Sequence, residues 1–564
     1  MAILESTSKN YNTLINEITE GQVKIPQFQR QFVWDKASSA KLIDSIIKGY
    51  PVGTFIFWKT DEQLRAVRNI GNIQLPTQGS GEYVNYVLDG QQRITSIFAA
   101  IKGEKIKRED GKEEDFSEIF VDLEAPEDGD IVITDVSERK TKTYIRLLDL
   151  IEGDFETLGS YPKDKHAIIK NYQNVLKGYS FSVINLKGAS IDVATEVFTR
   201  LNVGGKSLTL FEIMVAKTYE PTKNFDLAER YKQLCKELSE RARYENIPTA
   251  TVLQVVSVLL KKDIKRATIL KLDKQQFIDT WETATDCIRK AVDWFRGYGV
   301  TVSRLLPYPS LLVPFAYFFH KHPLSPTGDM KKRLEDFFWR VSLGTRYSSA
   351  VESKMAQDIG KIDAILKNKL PKYEWAINIG WEELMKPTFG GFITSRSSIK
   401  AILCLYVMHK PKSFQTDQDV TVDNSWLKVS TSRNYHHFFP RAFMKKKFPA
   451  MNVLEYNHIL NITVVDDHLN KNEIRAKAPS VYMKKFMRQN KNIEQTMRTH
   501  GIHIERYGVL RDDYYLFLKN RAKWVSKELG KKIIIQNTGI EEQIEDDYQQ
   551  EPEDIEQYIY AEED

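Results

Sequence analysis

Strand-like patterning is absent from about Leu210 to Lys410, and this change constrains what the chain can fold into. From Gln22 to Leu210, short β-rich runs alternate with helical ones. Strands are expected at 53–58, 83–88, 119–123, 130–133 and 182–186. Apolar residues recur at helical spacing from Ser38 to Lys48 and from Gln91 to Lys102, whereas Gly103 to Asp115 is charged and reads as a loop. From Leu210 to Lys410 long amphipathic patterns follow one another, broken at Pro and Gly. A chain of 564 residues exceeds what one hydrophobic core serves, so two or three domains are expected. The expected fold class is α+β multidomain. An α/β domain spans 1–215, a helical middle domain 216–411 and a third domain 412–540, entered through a polar link at 412–432. The acidic tail, 541–564, lacks a helical apolar stripe and reads as disordered.

Composition removes several classes. Cys235, Cys287 and Cys404 lie far apart with no CxxC spacing, which excludes a disulfide framework or a cysteine zinc site and suits a reducing cytoplasm. The chain starts without the basic-then-apolar pattern of a signal peptide. Its most apolar stretch, Leu305 to His320, is short and carries Pro307, Pro309 and Pro314, so no membrane span or membrane partner is expected. The net charge of +5 conceals an asymmetry: residues 541–564 hold twelve Asp/Glu and no Lys/Arg, which leaves +17 on residues 1–540. Residues 430–540 contain 21 Lys/Arg against 9 Asp/Glu. That surplus fits a polyanionic partner such as DNA, or equally a solvated lysine-rich surface.

Three N-terminal segments stand out: Ile25-Pro-Gln-Phe-Gln-Arg-Gln-Phe-Val-Trp34, Tyr86-Val-Leu-Asp-Gly-Gln-Gln-Arg93 and Val197-Phe-Thr-Arg-Leu-Asn-Val-Gly-Gly-Lys-Ser-Leu208. The second reads as strand, Asp-Gly turn and helix start. There backbone N–H groups attract phosphate, Gly90 permits close approach, Arg93 can add a forked contact, and Gln91 and Gln92 supply neutral donors. It also reads as an ordinary turn, with Asp89 capping the helix, Phe32 and Trp34 as core aromatics and Arg200 to Asn202 as a solvated turn. In this order and spacing the segments resemble the ParB/sulfiredoxin-like domain of GmrS-type modification-dependent restriction proteins, over about residues 10–220. The resemblance implies binding and hydrolysis of a nucleoside triphosphate and a part in sensing modified DNA. It carries over to Gln29, Arg30, Asp89, Gly90, Gln91, Gln92 and Arg93, with Arg200, Asn202 and Gly205 as further nucleotide-binding positions. No GxxxxGK[ST] sequence offers an alternative phosphate loop.

Four of the ten histidines fall between 436 and 468. A strand with paired histidines (Tyr435-His-His-Phe-Phe-Pro-Arg441) precedes a second strand that starts at Asn461 (Asn461-Ile-Thr463) and a helix with polar residues. This resembles a ββα-metal nuclease core. The likeness implies His437 as the base that activates water, Asn461 as its orienter, and His436 and Asn470 as ligands of a divalent metal. One imidazole with amide and water oxygens favours magnesium or manganese. The signature also resembles the HNH-like domain of GmrD-type proteins over about 390–535, through His437-Phe-Phe-Pro440, Asn461-Ile-Thr463, Asn470 and Lys477-Ala-Pro-Ser-Val-Tyr482. The position before the base is more often Asp in that family; here it is His436. Lys471, Arg475 and Lys477 read as phosphate contacts on DNA or as exposed charges. His458 and His468 read as surface or core histidines.

The two resemblances occur in the order found in fused GmrS–GmrD-type type IV restriction enzymes. The expected activity is a cytoplasmic, nucleotide-gated, modification-dependent DNA endonuclease or nickase directed at modified phage DNA, with a homodimer as a possible assembly. The alternatives are a DNA-binding regulatory switch without cleavage and an RNA-cleaving toxin with the same metal core.

Overall fold

The computed structural model describes residues 3–26, 29, 32–61, 64, 76, 83–107, 112–126, 128–201, 209–244, 247–422, 435–465 and 473–536. Helices and small sheets are mixed, and the chain divides into two compact units, Met1–Leu227 and Ala228–Asp564. No helix among the described residues is long and apolar enough to cross a membrane.

The first unit runs β1 (Ile3–Asn10), α1 (Tyr11–Thr19), β2 (Val23–Lys24), α2 (Lys36–Ile47), β3 (Phe55–Thr60), β4 (Val84–Asp89) and α3 (Gln91–Lys102). Short strands follow, β5 (Lys105–Lys107), β6 (Glu113–Asp115), β7 (Phe120–Asp122), β8 (Val132–Ile133) and β9 (Tyr144–Arg146), then a helix at Lys163–Gly178 and β10 (Ser180–Lys187). The main sheet has the order β1-β10-β3-β4-β2. β3 buries Phe55 and Phe57 on one face, as period-two alternation requires. Phe181 of β10 joins them, 5.7 Å from Phe55 between ring centroids. Asp35 caps α2 by accepting from the Ser38 N–H at 2.7 Å, and Asp44 on the same helix accepts from Ile131 and Val132 at the β8 edge. Each expected strand and both helices occur, with ends shifted by a few residues.

Two elements differ from the sequence reading. β1 has no apolar alternation, with Ile3 and Leu4 exposed; an eight-residue antiparallel ladder to β10 defines it through backbone pairing. The charged stretch expected as a loop contains the β5–β6 antiparallel pair. Its charges face each other across the ladder, with Lys105 3.0 Å from Asp115, a cross-strand pairing that charge content alone does not reveal.

The second unit is helical up to Met408. Helices Thr249–Lys261, Lys274–Arg296, Leu312–Lys321, Gly328–Leu343, Val351–Leu366 and Ser397–Met408 pack through an aromatic core that includes Phe295, Phe315 and Phe338. The apolar stretch around Pro314 is a core helix, buried from Leu312 to Phe319, and Pro314 sits in its first turn where a missing N–H costs little. The polar segment expected as a link is packed in its described part, 412–422. Phe414 is fully buried, Asn490 Nδ2 donates to its carbonyl at 3.0 Å, and His500 Nε2 lies 2.8 Å from the Lys412 carbonyl. One aromatic residue in a polar run anchors this described part. Beyond it, β11 (Tyr435–His437) pairs antiparallel with β12 (Ile462–Val464), placing His436 opposite Thr463 and His437 opposite Ile462. Helices Pro479–Gln489 and Tyr514–Gly530 complete the described part.

Candidate functional site

In the first unit the sheet brings two of the sequence segments together. Gln29 donates through Nε2 to the Val87 carbonyl, and the Val33 N–H donates to Gln92 Oε1 at 2.9 Å. Gly90 adopts φ +94° between β4 and α3, and a Cβ there would meet the Phe55 ring at 2.4 Å, so glycine is required on both counts. Asp89 does not cap α3. Its Oδ2 pairs with Arg93 Nη2 at 2.9 Å, one helical turn on. Arg93 also donates to the carbonyls of Val52 (2.8 Å) and Thr54 (3.1 Å) and lies over the Phe55 ring. The guanidinium therefore braces the chain on either side of Gly53, where a Cβ would meet Arg93 Nη1 at 2.3 Å. Gln91 and Gln92 are buried at the start of α3, and Phe32 is buried against Phe116. Arg200 pairs with Glu196 at 2.6 Å and is 78% exposed. Arg30, Asn202 and Gly205 lie outside the described residues.

In the second unit the paired histidines part company. His436 turns into the core, where Phe414, Phe438 and Tyr482 surround its ring at centroid distances of 6.0, 6.3 and 6.0 Å. Thr463 Oγ1 lies 2.9 Å from His436 Nδ1 and donates to the His436 carbonyl at 3.3 Å. A hydroxyl has one proton, so Nδ1 donates to Oγ1 and the lone pair sits on Nε2, which is buried with no partner among the described residues. Burial, with His437 and His500 nearby, holds His436 well below the usual histidine range and hence neutral. His437, on the other side of the strand, has Nε2 2.8 Å from Asn457 Oδ1.

Asn461 is buried, and its amide serves the backbone. Oδ1 accepts from the Phe439 N–H at 2.8 Å, while Nδ2 donates to the carbonyls of Phe439 and Tyr456. It holds the turn after His437, and the amide bonded to the His437 ring is that of Asn457. Tyr482 adds a hydroxyl bond to the Phe438 carbonyl. Asn457 belongs to none of the segments the sequence singled out, and an Asn five residues before a strand carries no signal of its own. Arg475 and Lys477 are exposed, and Lys477 Nζ donates to the Glu473 carbonyl at 2.8 Å. Asn470, Lys471 and His468 lie outside the described residues. His458 is fully buried, and burial pushes it down to about 4, against the Lys386 and Met385 carbonyls.

His436 has the lone pair that a metal ligand needs, but the described residues around Nε2 supply aromatic rings and no oxygen donor. A hard ion prefers oxygen, so these residues do not by themselves fit magnesium or manganese. No group of three His, Cys, Asp or Glu able to hold a metal occurs among the described residues.

Residues 11–219 match the family model of the GmrSD restriction endonuclease, N-terminal domain. The match begins at the first residue of α1 and includes the Asp89–Arg93 turn and β10. The chain is also similar to the uncharacterized protein MJ0686 of Methanocaldococcus jannaschii, at 23% identity over 580 residues that cover 90% of this chain and 94% of the relative.

Proposed function

We propose that this chain is a modification-dependent DNA endonuclease or nickase of anti-phage defence, related to the GmrSD restriction enzymes, with His437 as the general base. The observation that carries the reading is the imidazole of His437 on β11, held by the Asn457 amide at the edge of a two-stranded unit whose second strand follows Asn461. The N-terminal family match supports it. So does the basic surplus over 430–540, which suits a phosphate backbone. In this reading His437 takes a proton from water. The water oxygen bonds to phosphorus as the P–O bond to the leaving sugar oxygen breaks, and that oxygen takes a proton from solvent. Asn461 holds the turn from His437 to Pro440. Arg475 and Lys477, with Lys471, meet the DNA backbone. Magnesium or manganese, for which His436 and Asn470 are the expected ligands although the described surroundings of His436 do not fit it, is a requirement to be measured, and no step is derived through it. A ParB-like nucleotide site at the Asp89–Arg93 turn, with Gln29 and Arg30 as further contacts to the nucleotide, would bind and hydrolyse a nucleoside triphosphate and gate cutting.

The deciding experiment is cleavage of phage DNAs carrying different modifications, with magnesium or manganese, with and without each nucleoside triphosphate, for wild type and His437→Ala. Cutting by the wild type that the variant lacks supports the reading. Retained cutting above a few percent in His437→Ala removes the assigned base. A second reading, a DNA-binding switch without cleavage, draws on the aromatic walls around His436. Tight binding of modified DNA with no cutting under any metal would select it.

A further inference from the structure

The helix Tyr514–Gly530 carries its exposed charge in a single row. Tyr515, Lys519, Lys523 and Lys527 are exposed at successive i,i+4 positions, and every other residue before Gly530 is buried or half-buried. At 1.5 Å per residue the row spans about 18 Å, with its lysines about 6 Å apart along the axis. Cations on other helices of this unit are neutralised from one turn back, Lys290 by Asp286 at 2.9 Å and Arg333 by Asp329 at 3.6 Å. Here the residues one turn back are Tyr515, Lys519 and Lys523, and none of the three lysines forms an ion pair among the described residues. Like charges at this spacing repel, and an anion laid along the row would relieve that repulsion.

Aromatic rings flank the row. Lys519 Nζ and Lys523 Nζ lie 5.3 and 5.1 Å from the centre of the half-buried Trp381 ring, so one indole draws two successive ammonium groups to the same side of the helix. At the other end the Tyr515 ring, 57% exposed, stands 6.3 Å from that of Phe448. Phe448 follows the helix Arg441–Lys447, which starts four residues after His437 and ends in three exposed lysines, 445–447. The carboxylates at this end are engaged within the fold. Asp512 accepts from the N–H and hydroxyl of Ser480, and Asp513 caps the helix through the Leu516 N–H.

We propose that the row Tyr515–Lys519–Lys523–Lys527, with Trp381 beside it, is a DNA-docking surface. It tracks the phosphate backbone of one strand toward the lysines that follow the His437 strand. Unneutralised cations in line, spaced like successive phosphates, match a polyphosphate and release its counterions on contact. Such contacts set where the duplex lies and read no sequence. The inference rests on the nuclease reading for what happens to the bound DNA, and it adds a surface beyond Lys471, Arg475 and Lys477.

The test measures fluorescence anisotropy of a fluorescein-labelled DNA duplex with the full chain, in EDTA to prevent cutting, from about 50 to 200 mM salt. The triple variant Lys519→Gln, Lys523→Gln, Lys527→Gln should bind more weakly. Its log–log salt slope should be shallower by about 0.9 for each lysine, about 2.7 in all, so that wild-type affinity falls about 40-fold more than the variant's across that range. Lys367→Gln, Lys369→Gln, Lys372→Gln removes the same charge from exposed positions elsewhere in the unit and should leave the slope unchanged. An unaltered slope in the first variant, or an equal loss in both, overturns the proposal. So does tighter DNA binding by the first variant, which would assign the row to the acidic segment 541–564. A wild type that binds with the full slope and never cuts leaves the docking surface standing while the nuclease reading fails. A wild type that cuts, with the slope unchanged in the first variant, does the reverse.

Discussion

His436 and His437 are adjacent in sequence and turn their imidazoles to opposite sides of one strand, His436 onto Thr463 and three aromatic rings and His437 onto Asn457. Alternation along β11 produces this division and separates a core residue from a candidate base.

The two histidines should therefore fail differently. His436→Ala empties a site walled by Phe414, Phe438 and Tyr482, and should destabilise the second unit by about 2–4 kcal/mol, the range for large-to-small core changes. His437→Ala should leave the unfolding midpoint close to wild type and abolish cutting. Thermal unfolding alongside nicking assays checks both, and equal destabilisation by the two variants would contradict the division.

Buried neutral histidines predict a pH dependence of stability. Burial pushes His458 down to about 4 and His500 to about 3, and holds His436 well below its usual range. The unfolded chain takes up protons near pH 6.5 that the folded one refuses, so it binds more protons and stability rises with pH. Stability should fall as pH drops from about 6.5 toward 4, by about 1.4 kcal/mol per pH unit for each such histidine. His500→Gln, whose amide can still donate to the Lys412 carbonyl, should flatten the slope by about one proton. Denaturant unfolding at several pH values measures it, and a slope unchanged in His500→Gln would refute the assignment.

Gly390 packs directly under His458. A Cβ there would lie 2.0 Å from His458 Nε2 and 2.7 Å from the Leu384 carbonyl. Gly390→Ala should cost about 1–3 kcal/mol through overpacking. It should also reduce cutting, because the next two residues hold His458 and Asn457. Gly360, which has open space around its missing Cβ inside helix Val351–Leu366, is the control. Gly360→Ala should be neutral or slightly stabilising by helix propensity.

In the first unit, Gly53→Ala should mimic Arg93→Ala. The added methyl occupies the position of Arg93 Nη1 and would break the bond to the Val52 carbonyl. Both variants should lower the unfolding midpoint, and both should weaken triphosphate binding if the Asp89–Arg93 turn is the nucleotide site. Gly49→Ala carries a comparable positive φ (+74°) with nothing within 4 Å, and isolates backbone strain from the clash. Equilibrium dialysis with ATP and GTP on the three variants decides. Unchanged binding in Arg93→Ala would move the nucleotide site elsewhere.

Local patterning in the sequence determined a good deal of this protein. The five expected strands, α2, α3 and the helices at Thr249–Lys261, Lys274–Arg296 and Gly328–Leu343 follow from apolar periodicity, which acts within a few residues. Gly90 and Asp89-Gly-Gln-Gln-Arg93 were legible as strand, turn and helix, and the paired histidines as a strand beside Asn461. Contacts between distant segments were not. β1 exists through its ladder to β10 and β5–β6 through cross-strand charges, and Phe414 turns a polar run into packed structure through residues some 20 to 90 positions away. Asp89 read as a cap and became the partner of Arg93, because Gly53 brings two carbonyls to the same guanidinium. Asn461 read as the residue that orients His437, yet its amide is occupied by the Phe439 and Tyr456 backbone. Asn457 meets the ring instead, held there by Phe392 from 65 residues upstream. An amide's partner depends on which acceptors tertiary packing leaves within 3 Å of it, and spacing along the chain contains no such distance.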